Sequence, residues 1–309
     1  FISYKNNTKI FDLKENIRIT PDQNVFSKEN LKNLNQNSNF ITISENEYKT
    51  INNIKITEDT ILKKNEKFIF EINTSINITN NSTLFIEGDL NFINDEKNLT
   101  EIYSEDESGS LIFIDNNYDL KNIIFKDLSK PKLNNFILYG GVNFINSNVN
   151  LNNIYLKNSK DEDAINIINS KSNLTNIYFE NIKADAFDVD FGELKFFNIN
   201  CKNVNNDCLD ISGAKVSGEK LITKNILDKG ISVGENSIVD INDLKLENSN
   251  IALAVKDGSK ANFKNVYVDN NNFDIVLFNK KQEFLKPSLS ITNINELNEE
   301  KILQSKNTK

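Results

Sequence analysis

Histidine, tryptophan and methionine are all absent from this 309-residue chain. Without histidine, a Ser-His triad, a histidine-ligated zinc and a histidine acid or base are excluded. Two cysteines, Cys201 and Cys208, are too few for a disulfide framework. Cys201 falls in the same apolar slot as Leu156, Phe179 and Leu246, so core packing is its expected role. Gly (10) and Pro (3) are scarce, against collagen-like or Pro/Gly-rich disorder. Basic residues (36) are outnumbered by acidic ones (44), with net charge −8 and pI near 4.9. Nucleic acid and anionic membranes, which want a basic patch, are therefore not expected partners. No apolar run approaches the roughly 18 residues of a membrane helix. With Phe1 in place of an initiator methionine and no signal-peptide pattern, the chain reads as a piece of a longer protein.

What is abundant is asparagine, 57 residues, and its placement is periodic. Asn158, Asn181, Asn203, Asn225, Asn248 and Asn270 recur every 22 or 23 residues, each after an apolar strand-like segment. Downstream, the apolar pairs Ile165/Ile167, Phe187/Val189, Leu209/Ile211, Ile231/Val233, Leu253/Val255 and Ile275/Leu277 recur every 22 residues. Fixed periodicity in this range marks a stacked architecture. Period-2 alternation from about Ile54, with turn clusters between short strands, gives three strands per repeat. The expected fold is all-β, a right-handed parallel β-helix with three short strands and about 22 residues per coil. Its expected span is 51–290, after a linker or tail of a preceding domain at 1–50 and before a polar tail at 291–309. Within 1–50, Ser27 to Leu34 reads as a short helix capped by Ser27, and Asn94 to Ser110 reads as a charged loop. The marker asparagines are expected at one corner, hydrogen-bonding from coil to coil.

Inside and outside alternate along a strand, so the residues between the core pairs face solvent. That column reads Asn166, Asp188, Asp210, Ser232, Ala254 and Val276, and the next outward one Ile168, Asp190, Ser212, Gly234, Lys256 and Phe278. A third column, Asp163, Asp185, Asp207, Lys229, Ile251 and Phe273, shares parity with the core and faces out only if the chain turns there. On that reading Asp185, Asp188, Asp190, Asp207 and Asp210 gather on one face, bordered by Lys229 and Lys256, with Glu235 in the turn beyond. Like charges one or two coils apart raise one another's pKa. Such a cluster is a site candidate, though exposed acidic columns also serve solubility alone. Lys229 is expected first as an ion-pair partner of Asp207 or Asp228, and second as a base.

The runs Ala184–Asp188, Asn206–Asp210, Asp228–Gly234 and Leu253–Lys256 resemble the four motif coils of polygalacturonase-type glycoside hydrolases. The family motifs are Asn-Thr-Asp, Asp-Asp, Gly-His-Gly and Arg-Ile-Lys. The resemblance implies Asp185 and Asp207 as two of three catalytic acids and Lys256 as the substrate-binding lysine. Asn206 stands where the remaining acid would be, Lys229 replaces the histidine and Ala254 the arginine. The stretch from about 140 to 285 is more similar to bacterial right-handed β-helix proteins of the pectin-lyase-like superfamily. That likeness rests on Asp185–Phe191, Asn206–Gly213, Asp228–Glu235, Val255–Ser259 and Lys280–Glu283. It implies a surface or secreted bacterial module.

The expected function is a non-catalytic module displaying a long sheet whose acidic patch contacts a polysaccharide or a cell-surface protein. The alternative is a polysaccharide hydrolase, lyase or epimerase, with Asp185, Asp207, Asp188, Asp210 and Lys229 catalytic and Lys256, Asp190 and Glu235 binding substrate. No cofactor is expected. Calcium is the one cation the aspartates leave open, as ligand set of a stabilised structural module.

Overall fold

The computed structural model describes residues 31–133, 137–295 and 298–304, plus the paired strands Ser3–Tyr4 and Asn7–Thr8. From Lys32 the chain winds as a right-handed parallel β-helix of about 11 turns, about 23 residues each. One sheet runs in register through Thr60, Leu84, Leu111, Val142, Ile165, Phe187, Leu209, Ile231, Leu253, Ile275 and Ile302. This site-bearing sheet is followed in each turn by a second, through Val149, Ser172, Leu194, Val216, Val239, Ala261 and Leu289. The third runs through Ile123, Ile154, Ile177, Ile199, Leu221, Leu244 and Val266. Inward Ile, Leu, Val and Phe of all three fill the lumen in one continuous core.

Asparagine is common because the corners need it. The marker asparagines all sit at φ between 53° and 60°, the left-handed region that asparagine tolerates better than most residues. A second corner repeats the device at Asn122, Asn153, Asn176, Asn198, Asp243, Asn265 and Asn293. Side chains then bond along the axis: Asn181 donates to Asn158 at 3.3 Å, Asn203 to Asn181 at 3.0 Å, Asn225 to Asn203 at 2.9 Å and Asn248 to Asn225 at 3.2 Å.

Several boundaries differ from the sequence reading. At the N-terminal end, Phe40–Ser44 and Glu47–Thr50 form an antiparallel hairpin, and Glu47–Thr50 pairs with Lys67–Phe70 of the stack. Phe40 packs edge-on against Phe68 at 4.6 Å, closing the lumen. Residues 32–50 thus belong to the β-helix and are not a linker. Ser27–Asn30 of the anticipated helix lie outside the described residues, and Lys32–Asn33 is a strand. Thr100–Tyr103, inside the anticipated loop, is a rung of the third sheet. At the other end, Ser288–Ile294 and Ile302–Gln304 continue the stack into the anticipated tail. Cys201 and Cys208 do point into the core but are joined as a disulfide, Cα–Cα 5.8 Å, across the corner that carries Asn206 and Asp207.

The outer face of the site-bearing sheet carries a second apolar layer at its N-terminal rungs. Ile61, Phe85, Ile112, Ile114 and Ile145 point away from the lumen yet are buried with Leu138, against Leu31, Leu133 and Ile168. Residues 128–133 and 137–139 lie over them. They are anchored where Ser129 N donates to Gly109 O, Lys160 N to Leu128 O and Asp163 N to Tyr139 O. One rung further on, the covering stops and the acidic residues begin.

Candidate functional site on the acidic rungs

In the third column Asp163 and Asp207 are shut off from solvent, while Asp185 and Lys229 are half-buried. Asp207 is 2% exposed, and Asp163 is similarly buried. Asp185 and Asp207 turn along the axis and accept from backbone donors ahead of the next strands. Asp185 Oδ1 accepts from Asp207 N and from Asn206 Nδ2, both at 2.7 Å. Asp207 Oδ1 in turn accepts from Lys229 N at 3.1 Å. The Lys229 ammonium donates to both Asp207 oxygens, at 3.2 and 3.3 Å, and to Asp228. Asp185, Asp207 and Lys229 therefore form a bonded chain at the rim of the sheet, and Lys229 is an ion-pair partner. This corrects the expectation that Asp207 faces solvent; Asp185 stays half-buried at the rim.

The residues presented outward are Asp188, Asp190 and Asp210. Asp188 and Asp210 are register partners on adjacent strands, about 4.8 Å apart along the axis. Asn166 lies one rung before them and Ser232 one rung after, in the same column. Asn166 Nδ2 donates to Asp188 Oδ2 at 3.1 Å and reaches Asp163 Oδ2 at 3.5 Å. At the far end the Lys256 ammonium lies 3.8 Å from Asp210 Oδ1. Its stem crosses Gly234, where a Cβ would meet Lys256 Cε at 2.7 Å. Glu235 is taken up by Lys281. Lys281 N and Lys280 N are both held by the buried Asp257.

Burial and crowding set the charges. Burial, then Asp190, Asp163, Asp210 and Asp185, hold the Asp188 carboxyl well above the usual carboxylate range. Burial pushes Asp190 up to about 6, opposed by its bond from Asn166. Burial raises Asp163 to about 8 with help from Asp185, and Asp207 to about 7 against the pull of Lys229. Asp185 is raised by burial, opposed by the Asp207 N–H. Burial alone would lower Lys229, yet Asp207 and Asp228 hold it above its ordinary value, so it stays an ammonium. Neighbouring carboxyls of differing acidity are suited to sharing or moving a proton.

The structure brings Asp185, Asp188, Asp190, Asp207, Asp210, Lys229 and Lys256 together, with Glu235 at the edge. It adds Asp163 and Asn166, whose signal was their place in the same two columns one repeat earlier, and Asp228. Among the described residues no group of three or more acidic or cysteine side chains is arranged to hold a metal ion. No helix among them is long and apolar enough to cross a membrane. Two open grooves lie away from the acidic rungs. One, about 350 Å³, runs beside the stacked Tyr155 and Tyr178 rings on the third sheet. The other, about 370 Å³, lies around Phe196, Phe197 and Gly218.

Fold and site together define a parallel β-helix protein with an acidic outer sheet face. No family model matches the chain, and no curated protein matches it. Among solved structures it is similar to the periplasmic alginate epimerase AlgG, with TM-score 0.35 and 10% identity over 84% of this chain and 80% of that one. It is also similar to the catalytic unit of a GH87 α-1,3-glucanase from Streptomyces thermodiastaticus, with TM-score 0.30 and 7% identity. That match covers 81% of this chain and 62% of the glucanase structure, less than two thirds of its length.

Proposed function

We propose that this chain is a secreted or cell-surface module of pectin-lyase-like type that binds a polysaccharide along the outer face of its site-bearing sheet. The observation that supports this is the column Asn166–Asp188–Asp210–Ser232. Its partly exposed members, Asp188 and Asp210, lie between the buried Asn166 and Ser232, with the apolar covering beyond one end and Lys256 at the other. Strands spaced about 4.8 Å apart repeat their polar groups along the axis, as a linear polymer repeats its hydroxyls. Calorimetric titration with neutral, cationic and anionic oligosaccharides tests it. Binding by one class, lost in Asp210→Asn, supports the reading, and silence across the panel overturns it.

A second reading, a polysaccharide-active enzyme, is favoured by Asp188 and Asp190. Both are raised by burial and lie beside Asp210 on the adjacent strand. A protonated carboxyl next to a carboxylate is the arrangement of a general acid and its partner. Product analysis separates the two readings: turnover lost in Asp188→Asn while binding persists would replace the first by the second. A calcium titration covers the structural-module alternative, where heat and a higher melting temperature would displace both.

A further inference from the structure

Asn143 shows what a satisfied amide in this column looks like. Its Nδ2 donates to Gly140 O at 2.6 Å and to Leu111 O at 3.2 Å, and its Oδ1 accepts from Gly140 N at 3.1 Å. Its register partner Asn166 is 2% exposed, with its amide head among Asp163, Asp188 and Asp190, yet its Oδ1 has no partner. Beyond Asp210, the fully buried Ser232 carries a hydroxyl that also has none. A buried polar atom without a partner keeps its desolvation cost uncompensated. The Asn166 oxygen, beside Asp188, marks a place short of a hydrogen-bond donor, and the Ser232 hydroxyl beyond Asp210 one short of a partner of either kind.

Positive charge is short there too. Lys229 serves Asp207 and Asp228, Lys256 approaches Asp210, Lys281 serves Glu235, and Lys130 serves Asp161 and Glu162. Among the described residues, Asp163, Asp185, Asp188 and Asp190 have no ion-pair partner. Resting on the glycan-binding reading above, we propose that the ligand is a glycan with free amino groups, a hexosamine polymer whose ammonium lies against Asp188, Asp190 and Asp210. An ammonium brings three donors, a positive charge and no acceptor. An N-acetylated sugar brings one N–H and no charge, and a uronate adds charge of the wrong sign. A lysine of a protein partner would bring the same head on an aliphatic stem. The partly exposed carboxyls Asp188 and Asp210, one rung apart, suit the hydroxyls of a sugar ring beside that ammonium.

The test is calorimetry on the whole chain at about pH 6, below the ordinary range of an amine. The probes are a β-1,4-linked glucosamine tetramer, its fully N-acetylated counterpart and an oligogalacturonate of the same length. The amine tetramer is expected to bind at least about tenfold more tightly than the acetylated one, and the uronate not at all. The amine affinity falls by about tenfold or more in Asp188→Asn/Asp210→Asn, whose folding is checked by its melting curve, and it weakens with added salt. Should that variant not fold, the salt dependence of the native chain decides: no weakening overturns the assignment. If the acetylated or uronate oligomer binds as well or better, the amine assignment falls and the glycan reading stands. If no sugar binds and a lysine-rich peptide does, both fall.

Discussion

Ile112 and Asp188 occupy the same outward position of the same sheet, three rungs apart, in opposite surroundings. Ile112 is fully buried in the second apolar layer under Leu133 and Leu138, while Asp188 is half-buried among other carboxyls. The lumen beneath them is continuous, filled by Phe113 and Leu111 at one rung and by Phe187 and Val189 at the other. The inside of a β-helix is therefore dictated by stacking, and the outside by whatever the corners send across it. Where a corner is long enough to fold back, the outward residues become core; where it is short, they can carry charge.

The largest expected effect comes from exchanging the two chemistries. Ile112→Asp puts an unpaired carboxyl in the covered layer and should cost about 4 kcal/mol or more in urea denaturation. Asp188→Ile, on the open rungs, should be neutral or stabilising; equal losses from both would break the comparison. Next comes the rim. Asp207→Ala leaves Lys229 N and part of its ammonium uncompensated and should cost about 3 kcal/mol. Asp207→Asn/Lys229→Met should recover part of that, and no recovery would mean that the ion pair is not the reason. Smaller again is Asn203→Ala, which removes two axial bonds and a residue tolerant of φ 58°. A loss of about 1–2 kcal/mol is expected in Asn203→Ala, most of it recovered in Asn203→Asp if backbone conformation dominates.

The smallest mutational effect is on the pH dependence, whose sign distinguishes the regions. Asp190, Asp207 and Asp163 are pushed up to about 6, 7 and 8. The folded chain thus holds protons that the unfolded chain releases from about pH 4 upward. Their stabilising contribution is complete below the ordinary carboxylate range and is lost as pH rises through those values. Asp188→Asn should flatten this fall and add up to about 1 kcal/mol at pH 8, by removing a like-charge contact. Leu138→Ala, in the covered layer, should lower the whole curve without changing its slope. Parallel slopes in all three proteins would refute the assignment of the pH response to the acidic rungs.

The stack itself was legible because its cause is local. Each repeat needs two inward apolar residues and a corner that tolerates the left-handed region, and the sequence prints both every 22 residues. The acidic columns were legible by the same counting, down to Asp188 and Asp210 as neighbours. The role of Asp185 and Asp207 was not, because parity along a strand cannot say whether a carboxyl before it points to water or along the axis to the next N–H. Nor could composition show that Cys201 and Cys208, seven residues apart, meet across a corner. Leu133 and Leu138 carried no periodic signal, and only folding back over Ile112 and Ile145 makes them core.

The axial succession of rungs also has a mechanical consequence. Pulling the two ends apart along the axis loads the inter-rung hydrogen bonds of one turn at a time, since neighbouring turns are joined in series. Each turn that gives way would release about 22 residues, or about 75 Å of extended chain. The molecule would then lengthen in nearly equal increments while the remaining turns keep their shape. Anything gripping the acidic rungs would feel the tether grow longer before its own binding surface was disturbed.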